Sequence, residues 1–120
     1  MHDEWLLWQY RADNNCWDFV RAVLNKEFNV PVSELPKFGI CPSDKVSMTT
    51  AYQSVKRGFK RIANPVEGAV ACHFHGRTLV HVGVVLGGKV FHTSSHSGTR
   101  KDSIKTFSRI STTGYYQWQS

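Results

Sequence analysis

The stretch TLVHVGVVLGGKVFHT, residues 78–93, constrains the fold more than any other segment. Val80, Val82 and Val84 alternate with His81, Gly83 and Val85, and a two-residue period separates into two faces only in an extended strand. Gly87-Gly88 supplies a two-residue turn, after which Val90 and His92 share a face of the returning strand. A hairpin therefore sets His92 beside His81. The same short, Val- and aromatic-rich character predicts strands over Gly68 to His75, Lys89 to Thr93, Ile104 to Ile110 and Tyr115 to Trp118. A Ser-, Gly- and Thr-rich loop is expected between the strand that ends at Thr93 and the one that starts at Ile104.

The first half has a different period. Residues 3 to 10 read as a short helix burying Trp5, Leu6 and Trp8. A longer helix then opens at Cys16, with Asn14 or Asn15 as cap, Asp18 in the first turn, and Phe19, Val20, Val23 and Leu24 at helical spacing. Asn29 and Pro31 end it, and the prolines and Gly39 between Asn29 and Pro42 predict an ordered loop. Ser43 and Asp44 then start a second helix, whose stripe is Met48, Ala51, Tyr52, Val55, Phe59 and Ile62. Helices followed by a meander of strands predict a single α+β domain over residues 1–120, with N-terminal helices packed on one face of a C-terminal antiparallel sheet.

Composition narrows the class. With 41% hydrophobic residues in 120, the chain can close one core. No apolar run approaches the roughly 18 residues of a membrane helix, and the opening MHDEWLLWQY has acids where a signal peptide carries basic residues. The expectation is synthesis in the cytoplasm without a signal peptide and no membrane insertion. Cys16, Cys41 and Cys72 are odd in number and widely spaced, which argues against a disulfide scaffold or a metal knuckle. The net charge of +6 favours polyanionic partners, nucleic acid, anionic lipid or cell-wall polymer, and the sign alone does not choose among them. Its densest groups are Lys56, Arg57, Lys60 and Arg61 around Phe59, then Arg100, Lys101 and Lys105. Either group can also be no more than a solvated surface.

Three residues carry chemistry. A cysteine at a helix start feels the outward-pointing N–H groups and a partial charge of about +0.5, which favour thiolate. Cys16 is thus placed as a nucleophile, or as a small core residue in register with Phe19, Val20 and Val23. His81 is placed as a base, with Gly83 leaving room beside it, and His92 as the group that orients it. His73 and His75 invite a zinc reading with His81, but no carboxylate of metal-ligand spacing accompanies them, and an outward strand face explains them more simply. Cys72, alternating with Val70 and Phe74, reads as core. Cys41, in the Pro-rich loop, has no base near it.

NNCWDFVRAVLNKEF, followed by a proline-containing loop, resembles the nucleophile helix of the NlpC-type cell-wall endopeptidases, which are papain-like cysteine peptidases, and especially their phage-tail branch. HVGVVLGGKVFHT resembles that family's base strand and hairpin, so the likeness spans about residues 10 to 96. It implies a papain-like NlpC-type fold with Cys16 as nucleophile, His81 as general base and His92 as the orienting third residue. Ser94, Ser95 and His96 crowd that third position. The likeness further implies substrate contacts from Tyr10 and Trp17, and neither metal nor cofactor. The expected substrate is a peptidoglycan stem peptide cut beside D-glutamate, often before diaminopimelate, at the bacterial wall. Delivery is then by phage tail, secretion system or lysis. An N-acetylmuramoyl-L-alanine amidase with the same dyad, a non-catalytic wall- or tail-binding module, and a basic nucleic-acid-binding domain are the alternatives. Retention of all three polar positions argues against the binding module, whereas strong, salt-sensitive DNA binding without thiol chemistry would select the nucleic-acid-binding domain.

Overall fold

The computed structural model describes residues 2–11, 15–31, 33, 35, 58–76 and 78–119. The helix expected from Ser43 lies outside these residues up to position 57, and so do Cys41, Lys56 and Arg57. A 3₁₀ turn, Asp3–Leu7, stands where the first short helix was expected, and of its apolar residues Trp5 is buried. Helix α1 is Cys16–Phe28. Asn15 Oδ1 accepts from the N–H groups of Trp17 and Asp18 at 3.1 and 3.2 Å, and Asp18 Oδ2 accepts from Asn15 N–H at 3.1 Å. This reciprocal capping box starts the helix at the cysteine. Asn29, at φ 57°, ends it in the left-handed region that asparagine tolerates better than most residues.

Six strands follow among the described residues: β1 (Phe59–Ile62), β2 (Val70–His75), β3 (Thr78–Leu86), β4 (Lys89–Ser94), β5 (Gly98–Ser103) and β6 (Thr112–Trp118). They form one antiparallel sheet in the order β1-β6-β2-β3-β4-β5. A second helix, α2 (Ile104–Ile110), interrupts the chain between β5 and β6. No helix among the described residues is long and apolar enough to cross a membrane.

Several expectations are corrected. Phe59 and Ile62 are not the end of a helix. They pair with Trp118 and Tyr115 of β6, and a three-residue interval in a strand sends them to opposite faces. Phe59 packs in one core with Trp118, Ile62 in the other. Residues 104–110 are helical because Ser103 Oγ caps Thr106 N–H, and because Phe107 is the one buried residue of a segment flanked by Lys105 and Arg109. The expected loop before them is the edge strand β5, paired with β4 from Lys89–Ser103 to Ser94–Gly98. Its polar, exposed sequence has no apolar alternation to betray it. The described N-terminal elements, the 3₁₀ turn and α1, share one face as expected, but the unforeseen helix α2 covers the other. α1 presses Phe19, Val20, Val23 and Leu24 against Val70, Cys72, Val82, Val84 and Leu86, whereas Phe107 of α2 lies with Ala71, Val85, Val90 and Tyr115 on the other side.

The β3–β4 turn uses Gly87 and Gly88 at φ 60° and 76°, the positive values that a tight hairpin demands. Glu67 clamps it from outside, its two carboxylate oxygens accepting from Gly87 and Gly88 N–H at 2.6 and 2.8 Å.

Removing the cap side chain should leave the α1 opening without its acceptor. Asn15→Ala is expected to lower unfolding free energy by about 1 kcal/mol, and Asn15→Ser to lose much less, as read from urea midpoints.

Candidate active site

The β3–β4 ladder runs through Leu86–Lys89, Val85–Val90 and Val84–Phe91. Beyond Val84 lies Gly83, where a Cβ would meet Val90 Cγ1 at 2.9 Å and both His92 Cβ and Phe91 O at 3.0 Å. The missing side chain is therefore what lets His92 lean across β3. His81 Nε2 and His92 Nδ1 are 2.9 Å apart, with ring centroids at 5.0 Å and planes near perpendicular. On the β2 side, His73 pairs with His81 but Phe74 with Leu79, so Val80 is an extra residue in β3. A bulge of this kind bends a strand and re-aims the side chains beside it, and this one adjoins His81.

The two rings stand on an aromatic floor. Phe107 stacks on His73 at 3.8 Å and meets His92 edge-on at 5.1 Å, with His81 at 6.2 Å. His73 is buried, and its Nε2–H donates to Phe107 O at 2.8 Å, so it braces α2 against the sheet. His75 is exposed at the end of β2, and the ligand atoms of His73, His75 and His81 do not converge. Among the described residues, the group close enough to share an ion is His2, Glu4 and Glu27, at the far end of α1 from Cys16.

One partner was missed from sequence. His92 Nε2 lies 2.7 Å from Asp102 Oδ2, and Arg100 Nε–H donates to the same oxygen at 3.0 Å. Asp102 sits on β5, the strand read as a loop, opposite Val90 and diagonal to His92. The signal was available only in pairing: a strand with Asp102 two residues from Arg100 presents both to one neighbour.

Burial alone pushes the Asp102 carboxyl up, but hydrogen bonds from His92 and Arg100 outweigh it and hold it below the usual range. Burial lowers His92, opposed by Asp102, and burial likewise lowers His73, opposed by the Phe107 carbonyl. Asp102 is therefore an ionised acceptor near neutral pH, facing the uncharged ring of His92.

Cys16 opens α1 and is 1% exposed. It packs in the α1-side core with Cys72, whose strand partner Val82 is the neighbour of His81. Burial first, then the nearby Cys16, push the Cys72 thiol far above its ordinary value, so Cys72 stays a protonated core residue. Trp17 joins the same core and Tyr10 is half-buried. Of the sequence-derived site, the structure thus brings His81 and His92 into contact on the Phe107 face of the sheet, but it does not bring Cys16 to them: the capped helix start that carries Cys16 packs on the opposite face, with Cys72 and Val82.

The cationic groups also differ. Lys60 and Arg61 are exposed on edge strand β1, but Arg100 is tied to Asp102, and Lys101 to Asp3 at 2.7 Å. No protein-family model matches the chain, and no curated protein matches it in sequence.

Two outcomes follow. Gly83→Ala should cost about 1–3 kcal/mol through overpacking and displace His92 from His81, measurable as a lower urea midpoint and a lost ring contact. Histidine in the unfolded chain binds its proton near pH 6.5, whereas folded His73 and His92 bind theirs only at lower pH. Acid therefore favours unfolding, and the stability these rings contribute is complete above about pH 6.5 and lost as pH falls through the folded values. Urea midpoints should decline below that pH, and His73→Gln, which keeps a donor for Phe107 O, should flatten the decline.

Proposed function

We propose that the protein is a cysteine peptidase that hydrolyses an amide bond in peptidoglycan stem peptides, with Cys16 as nucleophile, His81 as general base and His92 as its orienter. The observation that carries this reading is the hydrogen bond between His81 Nε2 and His92 Nδ1, beside a glycine gap and a bulge, with the capped helix start of Cys16 packed on the opposite face of the same strands. A second ring bonded at Nε2 can fix the angle of His81, and with it the tautomer that a base needs. Its contact with His92 occupies Nε2, so Nδ1 is the nitrogen that takes up a proton in the proposed reaction.

In this scheme the Cys16 thiol, which packs on the opposite face of the sheet, must first reach His81; its proton then passes to that ring, and the thiolate, favoured by the α1 N-terminus, attacks the amide carbon. The N–H of Cys16, pointing out of the capped helix end, helps hold the oxyanion. His81 then gives its proton to the leaving amine as the C–N bond breaks, which leaves a thioester on Cys16. Water, deprotonated by His81, attacks the thioester, and the acid leaves as the thiol is restored. The thiolate supplies the nucleophile, so the scheme has no metal-bound water. The likeness to NlpC-type endopeptidases directs the choice of substrate to the bond after D-glutamate, before diaminopimelate. Half-buried Tyr10 and core Trp17 are proposed as walls for that stem, and Lys60 and Arg61 as a contact for the acidic wall.

Digestion of purified peptidoglycan, with mass analysis of the fragments, tests the reading. Wild-type protein should release stems cut after D-glutamate, insensitively to EDTA. Cys16→Ala and His81→Ala should lose at least about 10²-fold in rate while remaining folded. His92→Gln should retain part of the rate, because an amide can still hold a ring N–H. Sugar chains freed of L-alanine would identify the amidase reaction instead. Full activity in Cys16→Ala would end the cysteine mechanism, and wall binding without cleavage would leave a binding module.

A further inference from the structure

We infer that Asp102 is a positioning residue of this site, fixing the proton of His92 on Nε2 and, through that ring, the proton of His81 on Nε2. The inference rests on the reading of His81 as the base. It starts from an asymmetry of donors and acceptors that the sequence did not reveal.

Asp102 Oδ2 is met by two groups, His92 Nε2 at 2.7 Å and Arg100 Nε at 3.0 Å. An ionised carboxylate can only accept, so the His92 nitrogen facing it carries hydrogen. His92 is buried between His81 of β3, Arg100 and Asp102 of β5, and the apolar ring of Phe107 of α2. A second proton on that ring would have to sit at Nδ1, pointing at His81, with the lone Asp102 charge already shared with Arg100. The ring is therefore neutral and presents a lone pair at Nδ1. His81 Nε2, 2.9 Å away, must then be the donor. A neutral His81 that donates from Nε2 has its own lone pair at Nδ1, the nitrogen that takes the thiol proton. Once that proton arrives, the imidazolium keeps its Nε2–H on His92, and Asp102 stabilises the charge through the intervening ring.

Arg100 gives the chain its direction. Replacing Asp102 with asparagine leaves one acceptor oxygen, for which the permanently charged Arg100 fork competes, and turns the amide NH₂ toward His92. His92 Nε2 must then accept, its proton moves to Nδ1, and two donors face each other between the histidines.

The test is the ring tautomer itself, read from long-range ¹H–¹⁵N spectra of the full ¹⁵N-labelled chain near pH 7.5. Both His81 and His92 should be Nε2–H in the wild type. In Asp102→Asn, His92 should change to Nδ1–H and stem-peptide turnover should fall, by no more than the about 10²- to 10⁴-fold that a general base contributes. Asp102→Glu should restore the wild-type tautomers and part of the rate. A wild-type spectrum with either ring as Nδ1–H overturns the inference, whether or not any variant folds, and so does an Asp102→Asn protein with both tautomers unchanged. These spectra need no substrate, so they separate this inference from the peptidase reading. Full activity in Cys16→Ala would remove the peptidase and leave the tautomers as measured.

Discussion

The register of the β3–β4 hairpin is the constraint on which the rest depends. Val82 and Val84 belong to the core under α1, while Val85 and Val90 belong to the core under α2, so a slip of one residue would exchange the two sets. Either core would then receive side chains of the wrong shape, and His81 and His92 would leave the Phe107 floor. Gly87 and Gly88 set the register through their positive φ, and the Glu67 carboxylate locks it by holding both turn amides. Glu67 stands before Gly68, whose positive φ seats it against Phe28 of α1. The hairpin and the helix that carries Cys16 are thus joined through one short segment.

Burial on both faces makes polar groups expensive, which is why those present are linked to one another. His73, His92 and Thr93 are all buried. His73 is satisfied by the Phe107 carbonyl, His92 by His81 and Asp102, and Thr93 Oγ1 bonds to the hydroxyl oxygen of Thr99, whose own hydrogen goes to Trp8 O. Each bond is stronger for being shielded from water, and each broken partner would leave a costly orphan. The Thr99 link also ties the segment after the 3₁₀ turn to the β4–β5 edge. The site is held by the same bonds that hold the fold.

Much of this was legible because local rules and global structure agree. Alternation in residues 80–86, the Gly-Gly turn and the shared face of Val90 and His92 all survive in the structure, as does the cap before Cys16. Failures occurred where a local pattern had two solutions. Phe59 and Ile62 fit one helix stripe or two faces of a strand, and only the presence of β6 beside them decides. Residues 104–110 contain enough Ile and Phe for a strand, but Ser103 as a cap and one buried Phe107 make a helix. β5 has no apolar face at all, and its strand character comes wholly from hydrogen bonding to β4.

By itself the sequence determined what short-range sterics and periodicity control: where α1 begins and why Cys16 heads it, the β3–β4 turn, and the approach of two histidines across it. These depend on residues within a few positions of one another. Tertiary structure decided which sheet face each helix covers, strands β1 and β5, and the Asp102–Arg100 pair behind His92, because each needs a partner supplied by a distant segment. A carboxylate on a polar edge strand looks like any solvated acid until the neighbouring strand places a buried imidazole 2.7 Å away. The proton positions in this site are therefore a property of the assembled sheet, since only a fixed acceptor decides which nitrogen of a ring holds hydrogen.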